Sequence, residues 1–485
     1  MENLGVLSVL IPLFIIVMAI ITKDVVVSLL SGIFLGELVL NDYNPFTALI
    51  QLLDGFIGLF AEGWITKTVL FALLVGSIIK LISDSGGVKG FISYLSEKEK
   101  GIDSPKGALF LAYFLGIIIF IESSITSLVA GTVARPLCDK NGVSRAKLAF
   151  VCDSTSAPVC SLIPFNAWGA LLLGLILTAI ESHVIEGNNM SLLLESILFN
   201  FYSLIILLIV FMVILFDINI GSMRNAKVYT FKEEVDSFNN EKKSPLLMVL
   251  PLTVLIVMVP LSLYYTGLSS FPELSYAGKT VQEALFLARD VMMKGSGSTS
   301  VFYAVITALL FIYLYYIPTK NLKHKEYFKS LYAGIAEMIP IVLILLLAFL
   351  IGKVIKDLGT AQYIATQMQA SNMPLFLLPA LVFLVAALTA FSTGTSWGTF
   401  SIMMPIALGL AGTFELPIPL MIGAVISGGI FGDHVSPISD TTIISSMASG
   451  CDHIEHVRTQ MPYALIGAFL ATLLYVVVGY VKINF

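Results

Sequence analysis

The sequence predicts an all-α, polytopic membrane protein composed of two inverted-topology repeats. Of its 485 residues, 57% are hydrophobic and 12% are charged, whereas soluble domains carry about 25% charged residues. Apolar runs close to the roughly 20 residues that a helix needs to cross a bilayer recur along the whole chain, at 4–21, 69–82, 192–216, 246–265, 301–316, 339–355 and 464–481. Helices satisfy their own backbone hydrogen bonds without water, so they are the expected spanning structure.

The first apolar run is predicted to be a membrane span rather than a cleaved signal. It has no basic n-region and no A-x-A-like cleavage site, and a second apolar run follows at once. The four cysteines have spacings typical of neither a metal site nor a disulfide framework, so we expect small buried residues at Cys138, Cys152, Cys160 and Cys451. No basic stripe or stacking motif indicates a nucleic-acid partner.

The charged loops predict how the spans are oriented, because Lys and Arg are enriched in cytoplasmic loops. Four segments rich in Lys or Arg are therefore placed inside: 84–106, 135–147, 217–245 and 318–329. Segment 181–196, with three Glu and neither Lys nor Arg, and the mixed segment 266–296 are placed outside. With these positions, the first spans of the two halves cross the membrane in opposite directions.

The two halves, 1–216 and 246–485, carry matching polar strings on either side of a charged linker at 217–245. ESSITSLVAGTVARP at 122–136 aligns with FSTGTSWGTFSIMMP at 391–405, and DSTSAPVCSLIP at 153–164 aligns with DHVSPISDTTII at 433–444. Inverted repeats are a transporter architecture, with the site near the bilayer midplane where broken helices of both halves meet. We predict that 105–181 and 374–450 together form the transport core.

The candidate binding residues are the polar residues of these strings. They are Glu122, Ser123, Ser124, Thr126, Ser127, Asp153, Ser154, Thr155, Ser156 and Asn166 in the first half, and Ser392, Thr393, Gly394, Thr395, Ser396, Asp433, His434, Ser436, Ser439, Asp440, Thr441 and Thr442 in the second. Prolines interrupt helices, so freed carbonyls, hydroxyls and carboxylates can surround a hard cation, while half-helix N-termini suit an anion. The alternative for each Ser or Thr is a hydrogen bond to its own or a neighbouring helix.

Carboxylates within apolar segments are costly and usually functional. Asp153, Asp433 and Asp440, with neighbouring hydroxyls, are therefore predicted to bind sodium. His434 has two interpretations: it is a proton-titrating partner of Asp433, or a neutral donor that orients this carboxylate.

A second polar stretch, 451–458, contains His453 and His456 on one helix face. A third metal ligand at a supporting spacing is lacking, and we predict a solvated loop between spans. Trp168 and Trp397 lie close to the polar clusters in sequence and are expected to pack against them.

At these motifs the sequence resembles the NhaC family of sodium/proton antiporters. The resemblance is carried by FGDHVSPISDTTIISS at 431–446 and ASGCDHIEHVRTQMPYAL at 448–465. The family is part of a wider ion-transporter grouping, in which each inverted repeat has a re-entrant hairpin and a broken helix within a moving transport domain beside a fixed scaffold. The resemblance implies hairpin tips at 123–127 and 392–396, and broken-helix segments at 153–158 and 433–442.

The resulting expectation is a sodium-using secondary transporter in the bacterial plasma (inner) membrane, most simply a Na⁺/H⁺ antiporter. The alternative is a sodium-coupled carrier of a small organic solute, such as an amino acid or a carboxylate in malate/lactate-type exchange, by an elevator-like motion. Sodium is the coupling ion, with no other cofactor, and a homodimer is a candidate assembly. An enzyme is disfavoured because no nucleophile–base–orienter set is found, and a channel because the breaks form a pair rather than a filter ring.

Overall fold

The computed structural model of the chain describes residues 4–22, 24–88, 90–91, 104–120, 122–164, 166–228, 243–272, 275–276, 279–371 and 374–484. Within these residues the regular secondary structure is entirely helical. Eight helices in this part of the chain are long and apolar enough to cross a membrane, or nine if one bent pair is counted as a span. The predicted all-α, polytopic fold class is confirmed.

The first half contains ten α-helices in the described residues. They are α1 (Leu7–Thr22), α2 (Val25–Leu40), α3 (Pro45–Leu59), α4 (Gly63–Asp84), α5 (Pro105–Ile118), α6 (Ser123–Lys140), α7 (Arg145–Leu162), α8 (Ala167–Glu181), α9 (Asn189–Ser196) and α10 (Phe201–Phe216). Side-chain caps mark several starts, as expected for Ser and Asn at such positions: Ser104 accepts from the Gly107 N–H and Ser144 from the Lys147 N–H.

The second half continues with the same kind of helices. They are α11 (Leu246–Gly267), α12 (Val281–Met293), α13 (Gly297–Tyr316), α14 (His324–Asp357), α15 (Thr360–Ser371), α16 (Leu378–Thr393), α17 (Ser396–Thr413), α18 (Ile418–Val435), α19 (Asp440–Ser449) and α20 (His453–Asn484). Of the charged linker, 229–242 lies outside the described residues.

The helices pack as two groups. In the outer group, α1–α4 and α11–α14, helix α4 lies along α13 and α14, and α11 packs on α12 and α13. In the inner group, α5–α10 and α16–α20, helix α16 lies along α18, and α10 and α20 pack on each other and on α7. The two groups meet mainly where α14 contacts α8 and α17, and where α4 contacts α8.

Four interruptions in the inner group lie at the predicted polar strings. The chain breaks between α5 and α6, between α7 and α8, between α16 and α17, and between α18 and α19. At the third break Gly394 adopts a left-handed φ of 67°, a conformation that glycine reaches without steric cost. The break after α7 begins at Ile163, so residues 153–158, which the resemblance placed at a break, are helical instead.

The two halves interlock reciprocally. The helix that follows the break after α7 is α8, and it contacts α17 of the second half. The helix that follows the break after α18 is α19, and it contacts α6 of the first half. The Trp168 and Trp397 rings lie 5.5 Å apart at the first of these contacts, so the two rings pack on each other. Their packing against the polar clusters stays a prediction. At the second, the Ser445 hydroxyl donates to Ser127 Oγ at 3.0 Å.

Candidate cation-binding site

The first buried carboxylate is Asp153, in the middle of α7, with 1% of its surface exposed. Its Oδ2 atom accepts hydrogen bonds from His456 Nε2 at 3.2 Å and from Gln460 Nε2 at 3.0 Å, both on α20. Its Oδ1 atom is buried and has no hydrogen-bond partner in the described structure. One oxygen is therefore anchored and the other is available to a ligand.

The second buried carboxylate is Asp433, in the last turn of α18, with 5% of its surface exposed. Its Oδ2 atom accepts from the backbone N–H of Ser396 at 3.2 Å and from the Ser396 hydroxyl at 2.7 Å. Ser396 is the first residue of α17, so the carboxylate lies at a helix N-terminus, where the helix dipole favours negative charge. As in Asp153, the Oδ1 atom is buried and has no partner among the described residues.

His434 lies between the two halves of the site. Its Nε2 atom is 3.1 Å from Ser154 Oγ and 3.9 Å from Asp153 Oδ2, and its Nδ1 atom is 2.6 Å from the Tyr202 hydroxyl. The ring is thus directed at the first-half carboxylate and at α10. The hydrogen bonds that hold Asp433 come from Ser396 instead.

Several predicted hydroxyls bond within their own helices, as in the alternative interpretation. Thr155 donates to the Val151 carbonyl at 2.7 Å, and Ser156 to the Asp153 carbonyl at 3.0 Å. Thr393 donates to the Thr389 carbonyl at 2.9 Å. Thr442 differs, because its hydroxyl oxygen is buried without a partner in the described residues.

Other predicted residues form helix caps and hydrogen bonds at the interruptions between helices. Asn166 caps α8 by accepting from the Gly169 N–H at 2.9 Å and donates to the carbonyls of Phe120 and Cys160, each at 2.9 Å. Most of the remaining contacts are local: Thr126 donates to the carbonyls of Ile119 and Glu122, Ser123 donates to the Glu122 carboxylate, Thr395 caps α17, and Ser439 bonds to Thr441. Ser436, just after α18, donates to the Phe391 carbonyl of α16.

Five predicted residues lie at less buried positions. Glu122, Ser124, Ser392 and Thr395 are half-buried, and Asp440 is exposed in the first turn of α19. Of the three carboxylates predicted to bind sodium, Asp153 and Asp433 are therefore buried, whereas Asp440 is exposed.

The structure adds three residues to the site that the sequence interpretation did not select: Tyr202, His456 and Gln460. The prediction of a solvated loop at 451–458 is wrong for His456, which lies in α20 and is 0% exposed. A spacing of four places His456 and Gln460 on one face of a helix. This spacing, in a helix that is otherwise apolar beyond its first turns, was the available signal.

The site contains unpartnered oxygens of the chemical types that bind hard cations. Four buried oxygens have no partner in the described part of the chain: Oδ1 of Asp153, Oδ1 of Asp433, Oγ1 of Thr442 and Oε1 of Gln460. They come from α7, α18, α19 and α20, which all contact one another. Carboxylate, hydroxyl and amide oxygens are the ligands that hard cations prefer.

These features define a class: a polytopic helical membrane protein with interrupted helices in both halves and one buried carboxylate from each half, as in secondary transporters. The chain belongs to the Na⁺/H⁺ antiporter family, whose model matches residues 159–480. The resemblance drawn from the sequence motifs is thereby confirmed.

Individual proteins show the extent of the similarity. The chain is 36% identical to an uncharacterised protein of Haemophilus influenzae over 98% of this chain and 91% of that protein. It is 30% identical to the malate-2H(+)/Na(+)-lactate antiporter of Bacillus subtilis over 32% of this chain and 33% of that protein. The Alcanivorax borkumensis YdaH transporter has a similar fold, with a TM-score of 0.56, 14% identity and 90% of each chain covered.

Proposed function

We propose that the protein is a secondary active transporter that exchanges Na⁺ for H⁺ across the plasma membrane. One observation carries this proposal: two buried carboxylates, Asp153 and Asp433, each have one oxygen anchored by hydrogen bonds and one oxygen without a partner in the described structure. Membership of the Na⁺/H⁺ antiporter family supports the same ion.

The chemistry follows from the cost of moving an ion into the bilayer interior. A buried ion without compensation is far less stable than the hydrated ion, so the protein must replace the hydration shell. Two carboxylates and neighbouring neutral oxygens provide both countercharge and ligands. A carboxylate oxygen accepts either a metal cation or a proton, so the same pair can carry Na⁺ in one direction and H⁺ in the other.

We further propose that the inner group moves as one body against the outer group, in an elevator-like transport step. The reciprocal packing of α8 on α17 and of α19 on α6 supports inverted repeats. Hydrogen bonds from Tyr202 on α10 and from His456 and Gln460 on α20 reach the site. The moving body therefore includes α10 and α20 in addition to the predicted segments 105–181 and 374–450.

The test is ion exchange by the purified protein in liposomes loaded with a pH-sensitive dye. With a proton gradient imposed, we expect external Na⁺ to dissipate the gradient, and K⁺ to have little effect. The exchange should be lost in the Asp153→Asn variant. An unchanged gradient after addition of Na⁺ to vesicles that contain folded wild-type protein would contradict Na⁺/H⁺ antiport.

A second candidate function is supported by a cavity of about 280 Å³ between the two groups. Its lining combines apolar side chains of α8, α14 and α17 with polar ones, among them Thr178, Lys356 and Thr413. A small organic acid would find both an apolar wall and a cation there. The Bacillus subtilis relative named for malate and lactate motivates the same class of solute. Na⁺-dependent uptake of labelled amino or carboxylic acids into the same liposomes separates this function from simple Na⁺/H⁺ exchange.

A further inference from the structure

Gln460 occupies a junction between the two halves of the protein. It lies on α20, is 0% exposed, and its Nε2 atom donates to Asp153 Oδ2 at 3.0 Å and to the His434 carbonyl at 2.5 Å. One amide group thus connects α7 of the first half to the end of α18 in the second half.

The orientation of this amide is fixed by its partners. A carboxylate oxygen and a backbone carbonyl can only accept hydrogen bonds, so the NH₂ group of Gln460 must face both of them. The opposite orientation would bring the amide oxygen against two other acceptors. The Oε1 atom therefore points away from Asp153 Oδ2 and the His434 carbonyl.

Oε1 of Gln460 is buried and has no hydrogen-bond partner among the described residues. Buried polar atoms are normally satisfied, and an exception calls for a bound ion, a water molecule or a functional role. Asp153, to which the same side chain is bonded, also has a buried unpartnered oxygen. Two adjacent side chains on different helices thus each present one free oxygen.

We infer that Gln460 Oε1 is a direct ligand of the transported cation and helps to set the preference among monovalent cations. This inference rests on the proposed function, because it adds a neutral oxygen to the same carboxylate site. A neutral ligand supplies no charge, so its contribution depends on how well its fixed position matches the radius of the ion. A structural brace would need only the two N–H bonds and would leave the choice of ion unaffected.

The test is calorimetric binding of Li⁺, Na⁺ and K⁺ to the purified full-length protein in detergent. The variants are Gln460→Asn, which withdraws the amide by one methylene, and Gln460→Met, which removes the amide at similar volume. Thr459→Val is the matched control, because Thr459 is buried on the same helix and its hydroxyl donates to the Glu455 and His456 carbonyls of its own helix. Monodispersity on size exclusion confirms that each variant is folded. If only one of the two Gln460 variants folds, that variant is enough for the test.

We expect both Gln460 variants to bind Na⁺ about tenfold more weakly and to change the ratio of the Na⁺ affinity to the Li⁺ and K⁺ affinities, while Thr459→Val matches the wild type. Unchanged Na⁺ affinity would overturn the inference. An equal loss for all three ions would also overturn it, because it would identify Gln460 as a brace. Absence of saturable Na⁺ binding in the wild type would instead count against the proposed function itself.

Discussion

Asp153 and Asp433 are anchored by different kinds of donor. Asp153 is held by side chains of α20, whereas Asp433 is held by the first residue of α17 and lies at a helix N-terminus. The dipole of α17 stabilises the charge of Asp433 without using a cationic side chain. A cation bound at the free oxygens would therefore not compete with a neighbouring Lys or Arg for this carboxylate.

The Asp433→Asn variant should lower the apparent Na⁺ affinity of transport at least about tenfold, because it removes the countercharge of a desolvated ion while retaining the side-chain volume. Initial rates of exchange at varied Na⁺ measure the change. Asp290→Asn is the control, since Asp290 is on α12, its side chain is half exposed, and it is paired with Arg289. Wild-type Na⁺ affinity in the Asp433 variant would remove this residue from the site.

The sequence identified the carboxylates of the site because an acid in an apolar segment is conspicuous. It did not identify Gln460, His456 or Tyr202, because their roles depend on contacts between residues more than 200 positions apart or on different helices. Neutral polar residues in helices are common, so nothing local separates a site residue from one that bonds to its own helix. Thr155 and Thr442 illustrate this: one bonds within α7 and the other is buried without a described partner.

At the scale of helices, the contact between α16 and α18 depends on small residues. Gly428 and Gly432 are four residues apart on α18, and a Cβ atom on either would meet a carbonyl of α16, that of Phe383 or of Ala387. Such spacing of small residues lets helix backbones approach closely in membranes. The end of α18, which carries Asp433, is positioned by this contact.

The Gly432→Ala variant should therefore destabilise the protein by about 1–3 kcal/mol, the usual cost of overpacking. Thermal unfolding of the purified protein in detergent measures the loss. Gly58→Ala is the matched control, because a Cβ atom at Gly58 on α3 meets nothing within 4 Å, and Ala favours a helix over Gly. Equal melting temperatures for the two variants would show that the close approach is not required.

The helices themselves were more predictable than their breaks. Long apolar runs specify spans through composition alone, and Pro with clustered Ser or Thr indicated where helices are interrupted. The position of the break between α7 and α8 could not be obtained in this way, because Pro158 is accommodated within α7. The interruption falls instead between Leu162 and Ala167, where Asn166 supplies the cap of α8 and two further hydrogen bonds.

For the whole molecule, the proposed motion concerns the boundary between the inner and outer groups. Cysteine pairs joined by one short bifunctional thiol reagent can test it. A Cβ atom at Gly174 on α8 would lie 3.1 Å from Thr68 Cγ2 on α4, across the boundary. A Cβ atom at Gly467 on α20 would lie 3.6 Å from Ile209 Cδ1 on α10, within the inner group.

We expect a link between positions 68 and 174 to stop exchange and a link between positions 209 and 467 to preserve it. Burial raises the pKa of Cys451 to about 12, so this thiol stays protonated and reacts slowly near neutral pH. A reagent with a cleavable disulfide controls for damage to the protein, because reduction of the reagent should restore exchange. Loss of exchange with the 209–467 link would mean that α10 and α20 move relative to each other during transport.

Membrane orientation is a separate prediction of the charged loops. Lys325 and Glu186 are both exposed in the structure, so cysteines at these positions are accessible to reagents. In intact cells, an impermeant thiol reagent should label position 186 and leave position 325 unlabelled until the membrane is opened. The reverse pattern would invalidate the assignment of inside and outside and the inverted orientation derived from it.

The most direct test of the proposed site is equilibrium binding of radiolabelled Na⁺ to purified wild-type, Asp153→Asn and Asp433→Asn proteins at fixed pH. We expect saturable binding in the wild type and its loss in both variants, because the proposed site shares the ion between carboxylates from opposite halves. Wild-type binding in either variant would contradict a site formed jointly by Asp153 and Asp433.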